Sequence, residues 1–409
     1  MKLLKVDTVK EVEKKMEQHF QCFQVNSEEI HILDALGRVL AENVYSAIDL
    51  PEFHRSTVDG YAILSKDTFG VSESLPNFLD IVGKVEMGER TDLCVESGKA
   101  VYVPTGGMIP KGADGVVMIE YIEQLDEKTI AVYRPIAPGD GVISKGEDMR
   151  KGDVILSKGR RIKPQDIGAL SGIGMNSVKV FQKPKVAILS TGDEIVDPKG
   201  KIKFGQIRDI NTYALSALVM KMGGEVIYKA VIKDDYQTLK RVVEQVIDQS
   251  DLVVISGGSS VGVKDVTAKV INDLGDPGVF VHGVAIKPGK PTIIGKAKDT
   301  AIFGLPGHPV SALIVFQLFG KHFIDQMLSI GAKNQWIIEA VAGSNIHSSP
   351  GKETYQMVRI IEENEQYIAK PIYGKSGAIS LITQADGYIK IDTNKEGIQK
   401  GEKVRVTIL

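Results

Sequence analysis

The residues best suited to chemistry are Ser256-Gly257-Gly258-Ser259-Ser260-Val261-Gly262, with Asp265 at the mouth of the helix expected next. They follow the apolar run Asp251-Leu252-Val253-Val254-Ile255, which reads as a buried strand. A strand, a glycine-rich turn and a helix together present bare backbone N–H groups to an anion. Glycine lets the backbone approach closely, and the helix N-terminus adds partial positive charge. Further on, Ile286-Lys287-Pro288-Gly289-Lys290-Pro291 sets two ammonium groups on a proline-stiffened turn. The combination points to a phosphate-bearing ligand, with Gly257, Gly258, Ser259, Lys287 and Lys290 as candidate contacts. Taken alone, a glycine-rich turn is as often an ordinary tight turn, and turn lysines are commonly just solvated. A site is favoured because both turns follow strands expected in one sheet.

Five acidic residues fall in expected loops rather than on helical faces: Asp59, Asp148, Glu194, Asp234 and Asp265. Loop acids are usually solvated, and Asp265 has the position of an N-cap. Glu194 follows one strand directly and Asp234 another, so with Asp265 they should converge at one sheet edge. Converging carboxylates beside a phosphate loop suit a hard divalent cation such as Mg²⁺, bound partly through ligand phosphates. In Phe303-Gly-Leu-Pro-Gly-His-Pro-Val-Ser311, Pro309 suits the first turn of a helix, and the turn before it presents further N–H groups. His308 reads as a turn residue, since none of the seven histidines forms a pair with metal-ligand spacing. There is no local signature of a Ser-His-Asp triad or of a reactive cysteine.

The elements that must position these groups change in texture along the chain. Thr8 with Glu11 three residues later forms a capping box for a helix carrying Val9, Val12, Met16 and Phe20 at helical spacing. From 27 to 145, short apolar stretches such as Phe78–Val82, Ala100–Val103 and Gly115–Ile119 alternate with glycine and proline turns, which predicts a β-rich inserted domain. Residues 1–26 and 146–180 would form a helical linker domain, with a proline-started helix at Lys163-Pro164. From 181 to 330, strands Val186–Leu189, Val226–Ile232, Leu252–Ile255, Val279–Ile286 and Thr292–Ile294 alternate with helices Asn211–Met222, Tyr236–Gln249, Asp265–Leu274 and Pro309 to about Leu328. That alternation predicts a doubly wound, mostly parallel α/β domain with its ligand at the carboxyl ends of the strands. Residues 331–409 return to short strands punctuated by Gly374, Gly377 and Gly387, as expected of a small β-barrel.

Composition sets the class. The chain has 409 residues, 43% apolar and 25% charged, as in ordinary globular proteins. A formal charge of −2 gives no support to charge-driven nucleic-acid binding. The two cysteines, Cys22 and Cys94, are isolated and suit a reducing compartment. The N-terminal residues show no signal-peptide apolar region, and no apolar run approaches the ~20 residues that span a bilayer. A cytoplasmic protein without membrane association is expected.

These motifs, in this order, resemble the molybdopterin molybdenumtransferases, to which the gephyrin C-terminal domain is related. The resemblance covers essentially the whole chain. It runs through Pro51-Glu-Phe-His-Arg-Ser-Thr-Val-Asp-Gly-Tyr-Ala, Pro104-Thr-Gly-Gly-Met-Ile-Pro-Lys-Gly-Ala-Asp, Gly146-Glu-Asp and Ser190-Thr-Gly-Asp-Glu. It continues through Asp209-Ile-Asn, the Ser256 turn, Lys287-Pro-Gly-Lys-Pro, Leu305-Pro-Gly-His-Pro-Val-Ser, Gly374-Lys-Ser-Gly and Gly397-Ile-Gln-Lys-Gly-Glu. It implies a Mg²⁺-dependent reaction in which adenylylated molybdopterin and molybdate give molybdenum cofactor and AMP. It also implies that Asp59, Thr105, Asp148, Glu194, Asp234, Asp265, Lys287, Pro306, Pro309 and Ser376 belong to the active cleft. Glu194, Asp234 and Asp265 would serve the cation and adenylate side, and Lys287 with Lys290 the anion. The resemblance further implies a homodimer whose cleft draws on both subunits, which would let Asp59 and Thr105 reach it. A molybdopterin adenylyltransferase and the downstream molybdenum-cofactor enzymes would be partners.

Two positions depart from the family pattern. Some members carry a lysine where Gly283 stands, and many carry asparagine where His308 stands. Three other activities compete. Adenylylation of molybdopterin is disfavoured by the segments flanking the α/β domain and by the Gly-Gly-Ser-Ser turn. A scaffold that has lost its chemistry should have lost some of the acids. An ATP-dependent transferase should show a Gly-x4-Gly-Lys-Ser/Thr loop, and none is present.

Overall fold

A computed structural model describes residues 6–257, 261–331 and 336–409, with the backbone alone at 261–265. Thr8 and Glu11 form the capping box: the Thr8 N–H donates to Glu11 Oε2 at 2.7 Å, and the Glu11 N–H to Thr8 Oγ1 at 3.3 Å. The helix Val9–Phe20 that follows buries Val9, Val12, Met16 and Phe20, the face its spacing predicts. That face packs into the core of the α/β domain. The Phe20 ring lies within 5.4 Å of Phe23, Phe280 and Phe323, centroid to centroid.

The α/β sheet runs Glu225–Ile232, Lys185–Thr191, Leu252–Gly257, Thr300–Pro306, Ile293–Ala297, Gly278–His282. The first four pair in parallel, and the last two pairings are antiparallel, so that only Ile293–Ala297 runs against the rest. Alternating side chains feed the two faces. Val186, Ile188 and Val254 meet helix Asn211–Met222 and the chain after Pro309. Ala187, Leu189 and Val253 meet helices Tyr236–Val246 and Val261–Leu274. Helix Asn211–Met222 ends at Gly223, whose φ of +93° is the left-handed cap expected there.

The helix predicted from Pro309 to about Leu328 is interrupted by a π-helical turn at Phe316–Gly320, between Pro309–Val315 and Lys321–Met327. A Cβ at Gly320 would stand 2.5 Å from the Phe316 ring, so the wider turn needs glycine there. A second difference concerns Asp265. The helix begins at Val261, so Asp265 is its fifth residue and not its N-cap. A third concerns the stretch 279–286. It splits into strand Gly278–His282 in the α/β sheet and Ile286–Lys287, which leaves that sheet and pairs in parallel with Glu353–Thr354.

The β-rich part holds a six-stranded sheet in the order Gly115–Met118, Gly60–Ile63, Lys99–Val103, Asn77–Lys84, Thr129–Val132, Ile122–Gln124. The start of the stretch expected to be the β-rich domain turns instead to the linker segment: Ser27–His31 pairs with Ser177–Phe181 and Val44–Tyr45 with Val154–Leu156. The C-terminal strands close into a barrel. Glu353–Glu363 pairs on its two sides with Gln366–Pro371 and Gly387–Ile391, and Lys403–Ile408 with Ile337–Ala342 completes the ring.

The aromatic cluster makes the N-terminal helix part of the α/β core. Phe20→Ala, which removes a fully buried ring from it, should cost about 3–5 kcal/mol of stability, read as a lowered midpoint in denaturant titration.

Candidate functional site

The parallel strands end together. Thr191 is in register with Ile232 and with Gly257, and Gly257 with Pro306. The turns that follow therefore leave the sheet at one edge, as the switch from strand to loop in such sheets requires. Glu194 is three residues past the first strand end and Asp234 two past the second. The Gly192 N–H donates to the Ile232 carbonyl at 3.2 Å and ties those two ends together. Asp234 is half-buried, and Glu194 is exposed. Burial first, and then the charges of Asp193, Glu194 and Asp235, push the Asp234 carboxyl above its ordinary value.

A cleft of about 760 Å³ opens between the α/β domain and the barrel, and Gly257, Lys287, Lys290, Pro306, His308 and Ser376 all line it. Neither Glu194 nor Asp234 is among the residues that line the cleft with the two lysines. Pro309 is buried at the first position of the helix behind. Ser376 Oγ is 2.8 Å from His308 Nδ1, and the Val310 N–H donates to the Ser376 carbonyl at 3.2 Å. The barrel loop thus seats on that helix N-terminus. Lys287 Nζ donates to Ser349 Oγ of the barrel at 3.0 Å. The barrel wall adds His347, Lys352, Tyr355 and Met357. The Tyr355 phenol donates to Glu353 Oε2 at 2.7 Å, and burial pushes its pKa far up, so it stays protonated.

On the β-rich sheet, Asp59 and Thr105 are neighbours: the Thr105 N–H donates to Asp59 Oδ1 at 2.7 Å. Both are exposed, as is Asp148, and within one chain none of the three lines the cleft. Gly258 and Ser259 lie outside the described residues, as does the side chain of Asp265. Among the described residues, no three acidic, histidine or cysteine groups stand together as a ready metal cage. Gly283 adopts φ +98°, and a Cβ there would meet Val6 at 3.0 Å, so its setting has little room for a longer residue. Of the barrel residues in the cleft only Ser376 is foreshadowed by a motif; His347, Lys352, Tyr355 and Met357 are not, and neither is Asn211 by itself. Asn211 sits in the Asp209-Ile-Asn motif, which was its one signal.

Three family models cover the chain: the MoeA N-terminal region (domains I and II) at residues 7–174, a probable molybdopterin binding domain at 187–326, and the MoeA C-terminal region (domain IV) at 339–409. A crystal structure of a molybdopterin biosynthesis MoeA protein from Pyrococcus horikoshii matches over 99% of both chains, with a TM-score of 0.82 and 40% identity. Fold and cleft together define a multidomain protein with an α/β molybdopterin-binding domain at its centre. A putative molybdopterin biosynthesis protein of Methanocaldococcus jannaschii is 34% identical, over 93% of this chain and 92% of its own. The molybdopterin molybdenumtransferase of Haemophilus influenzae is 31% identical, over 94% of each. The chain belongs to the molybdopterin molybdenumtransferase (MoeA) family.

Because folding raises the Asp234 carboxyl, the folded state holds its proton more tightly than the unfolded chain does. Stability is therefore lost as pH rises from the ordinary Asp value through the raised one, and the loss is complete above it. Asp234→Asn should melt above the wild type at pH 7, and the gap should close at acidic pH, in scanning calorimetry.

Proposed function

We propose that this protein inserts molybdenum into adenylylated molybdopterin, consuming molybdate and releasing AMP. One observation carries the reading: in a MoeA-family chain, Lys287 and Lys290 line one cleft with the strand ends Gly257 and Pro306, and Glu194 and Asp234 follow the neighbouring strand ends of the same sheet. Lys287 and Lys290 supply fixed positive charge for molybdate, and Lys352 of the barrel adds a third ammonium. Backbone N–H groups after Gly257 and before Pro309 hold phosphate oxygens. The reaction breaks one P–O bond of the pyrophosphate link, and water adds across it to leave AMP and the cofactor phosphate.

The donor set at the edge suits Mg²⁺. Its ligands would be hard carboxylate oxygens, and a cation would offset the burial and neighbouring negative charge that raise the Asp234 carboxyl. Glu194, Asp234 and Asp265 would hold it, with ligand phosphate oxygens completing the shell. The cation would withdraw charge from the phosphoryl oxygen at the bond that breaks. Pro306, Pro309 and Ser376 would shape the cleft around the ligand, and Asp148 would have to come from a second copy.

Within one chain Asp59 and Thr105 stand away from the cleft, so we place the working site in a homodimer in which a second copy would supply them. A molybdopterin adenylyltransferase would supply the substrate, and enzymes that carry molybdenum cofactor would receive the product. Among the described residues, no helix is long and apolar enough to cross a membrane, and a cytoplasmic site of action fits this chemistry.

Purified protein given adenylylated molybdopterin and Mg²⁺ should release AMP when molybdate is added, measured by liquid chromatography. Absence of AMP under every condition overturns the reading, and formation of adenylylated molybdopterin from ATP would assign the sister activity. Asp234→Ala and Asp59→Ala should each abolish AMP release. Mixed and allowed to exchange subunits, the two variants should regain about a quarter of wild-type activity, since half the dimers are mixed and each has one intact site.

A further inference from the structure

Lys287 reaches the cleft on a two-residue strand, Ile286–Lys287. After Gly278–His282 the chain turns at Gly283, whose φ is +98°, and leaves the α/β sheet. Two backbone bonds close the stem of the lysine turn. The Gly283 N–H donates to the Thr292 carbonyl at 2.7 Å, and the Val284 N–H to the Lys290 carbonyl at 2.9 Å. The buried Thr292 hydroxyl donates to the Gly289 carbonyl at 2.7 Å. A two-stranded stem of this length is marginal in water, and a third strand is what makes such a ladder stable.

That third strand is supplied by one residue near the start of the chain. The Asp7 N–H donates to the Gly283 carbonyl at 3.1 Å, and the Ala285 N–H to the Asp7 carbonyl at 2.8 Å. The barrel takes the next place along the same edge, where the Glu353 N–H donates to the Ala285 carbonyl at 2.9 Å. The capping box sets the position of Asp7 in the sequence, because Thr8 caps the helix immediately after it. The side chain then ties it down. Lys15, in the second turn of helix Val9–Phe20, donates from Nζ to Asp7 Oδ2 at 2.7 Å and to the Phe280 carbonyl at 3.1 Å. One ammonium thus joins Asp7 to the strand before Gly283, while the Asp7 backbone joins the segment after it. The Asp7 side chain is 14% exposed and that of Lys15 37%, so the pair is better shielded than an ordinary surface ion pair.

We infer that Asp7 and Lys15 are positioning residues for the anion-binding turn. They hold the stem of the turn that carries Lys287 and Lys290, and so set the spacing of its two ammonium groups. Neither residue lines the cleft. The inference rests on the proposed function, which assigns molybdate to those two lysines. It gives the N-terminal segment a part in binding as well as in the core.

The test is calorimetric titration of molybdate, and separately of AMP with Mg²⁺, into the full-length protein, with a melting curve for each variant. Asp7→Ala and Lys15→Met should each weaken molybdate about tenfold, the scale of one charge-assisted hydrogen bond. Their AMP affinity should stay at the wild-type value, because the acids assigned to the adenylate side follow other strand ends. Lys15→Arg keeps a cation with donors for both partners and should recover most of the molybdate affinity. Val243 is fully buried against the opposite face of the α/β sheet, so Val243→Ala should lower the melting midpoint and leave both affinities unchanged. If Lys15→Met does not fold, Asp7→Ala against Val243→Ala decides the matter. Equal molybdate affinity in the wild type and in the Asp7 and Lys15 variants overturns the inference alone, as does an equal loss for molybdate and AMP. A wild type that binds no molybdate overturns it together with the functional reading.

Discussion

The site depends on one constraint, the parallel register of four strands. Each strand must end where its neighbour ends, because hydrogen bonding stops at the same level: Thr191, Ile232, Gly257 and Pro306 are paired across the sheet. With both faces covered by helices, the chain can leave only at the edges. The acids, the glycine-rich turn and the proline turn are loops that share that exit. Their meeting needs no separate device.

A single sheet edge still makes an incomplete cleft. The second wall comes from the barrel, and the join is unusually direct. Ile286 and Lys287 leave the α/β region to hydrogen-bond with Glu353 and Thr354, and the Glu353 N–H donates to the Ala285 carbonyl at 2.9 Å. Ser376 then seats on His308 at the opposite side of the opening. Where asparagine is common in the family, the imidazole here reaches the barrel serine through Nδ1. The histidine keeps a hydrogen-bonding role at that position.

Much of this was legible in the sequence because its signals are local. Helix Asn211–Met222 announces itself by period and by the Gly223-Gly224 stop, and the capping box at Thr8 and Glu11 is a four-residue pattern. The alternation of strands and helices carried the carboxyl-edge placement of Glu194 and Asp234. Misreadings arose where the deciding contact was distant or the local signal was weak. The Asp265 helix starts earlier than expected because Val261-Gly-Val-Lys has no strong helical signature. The run 279–286 looked like one strand because nothing nearby says that its end pairs with residues 353–354. Lys352 and Tyr355 reach the cleft through that same pairing. The Asn211 side-chain nitrogen donates to Ser256 Oγ and to the Gly307 carbonyl across 45 and 96 residues of chain, beyond the reach of any spacing rule.

The pairing of Ile286–Lys287 with Glu353–Thr354 also limits how the cleft can move. A shear along the seam would break the bonds that hold Lys287. Tyr355, Met357 and Tyr388 of the barrel are also buried in one cluster with Val310 and Val315 of the α/β domain. The two walls of the cleft therefore share a core, and at the far side a backbone bond from Val310 backs the Ser376–His308 pair. Room for a ligand comes from the shape of this joint rather than from a gap between independent bodies.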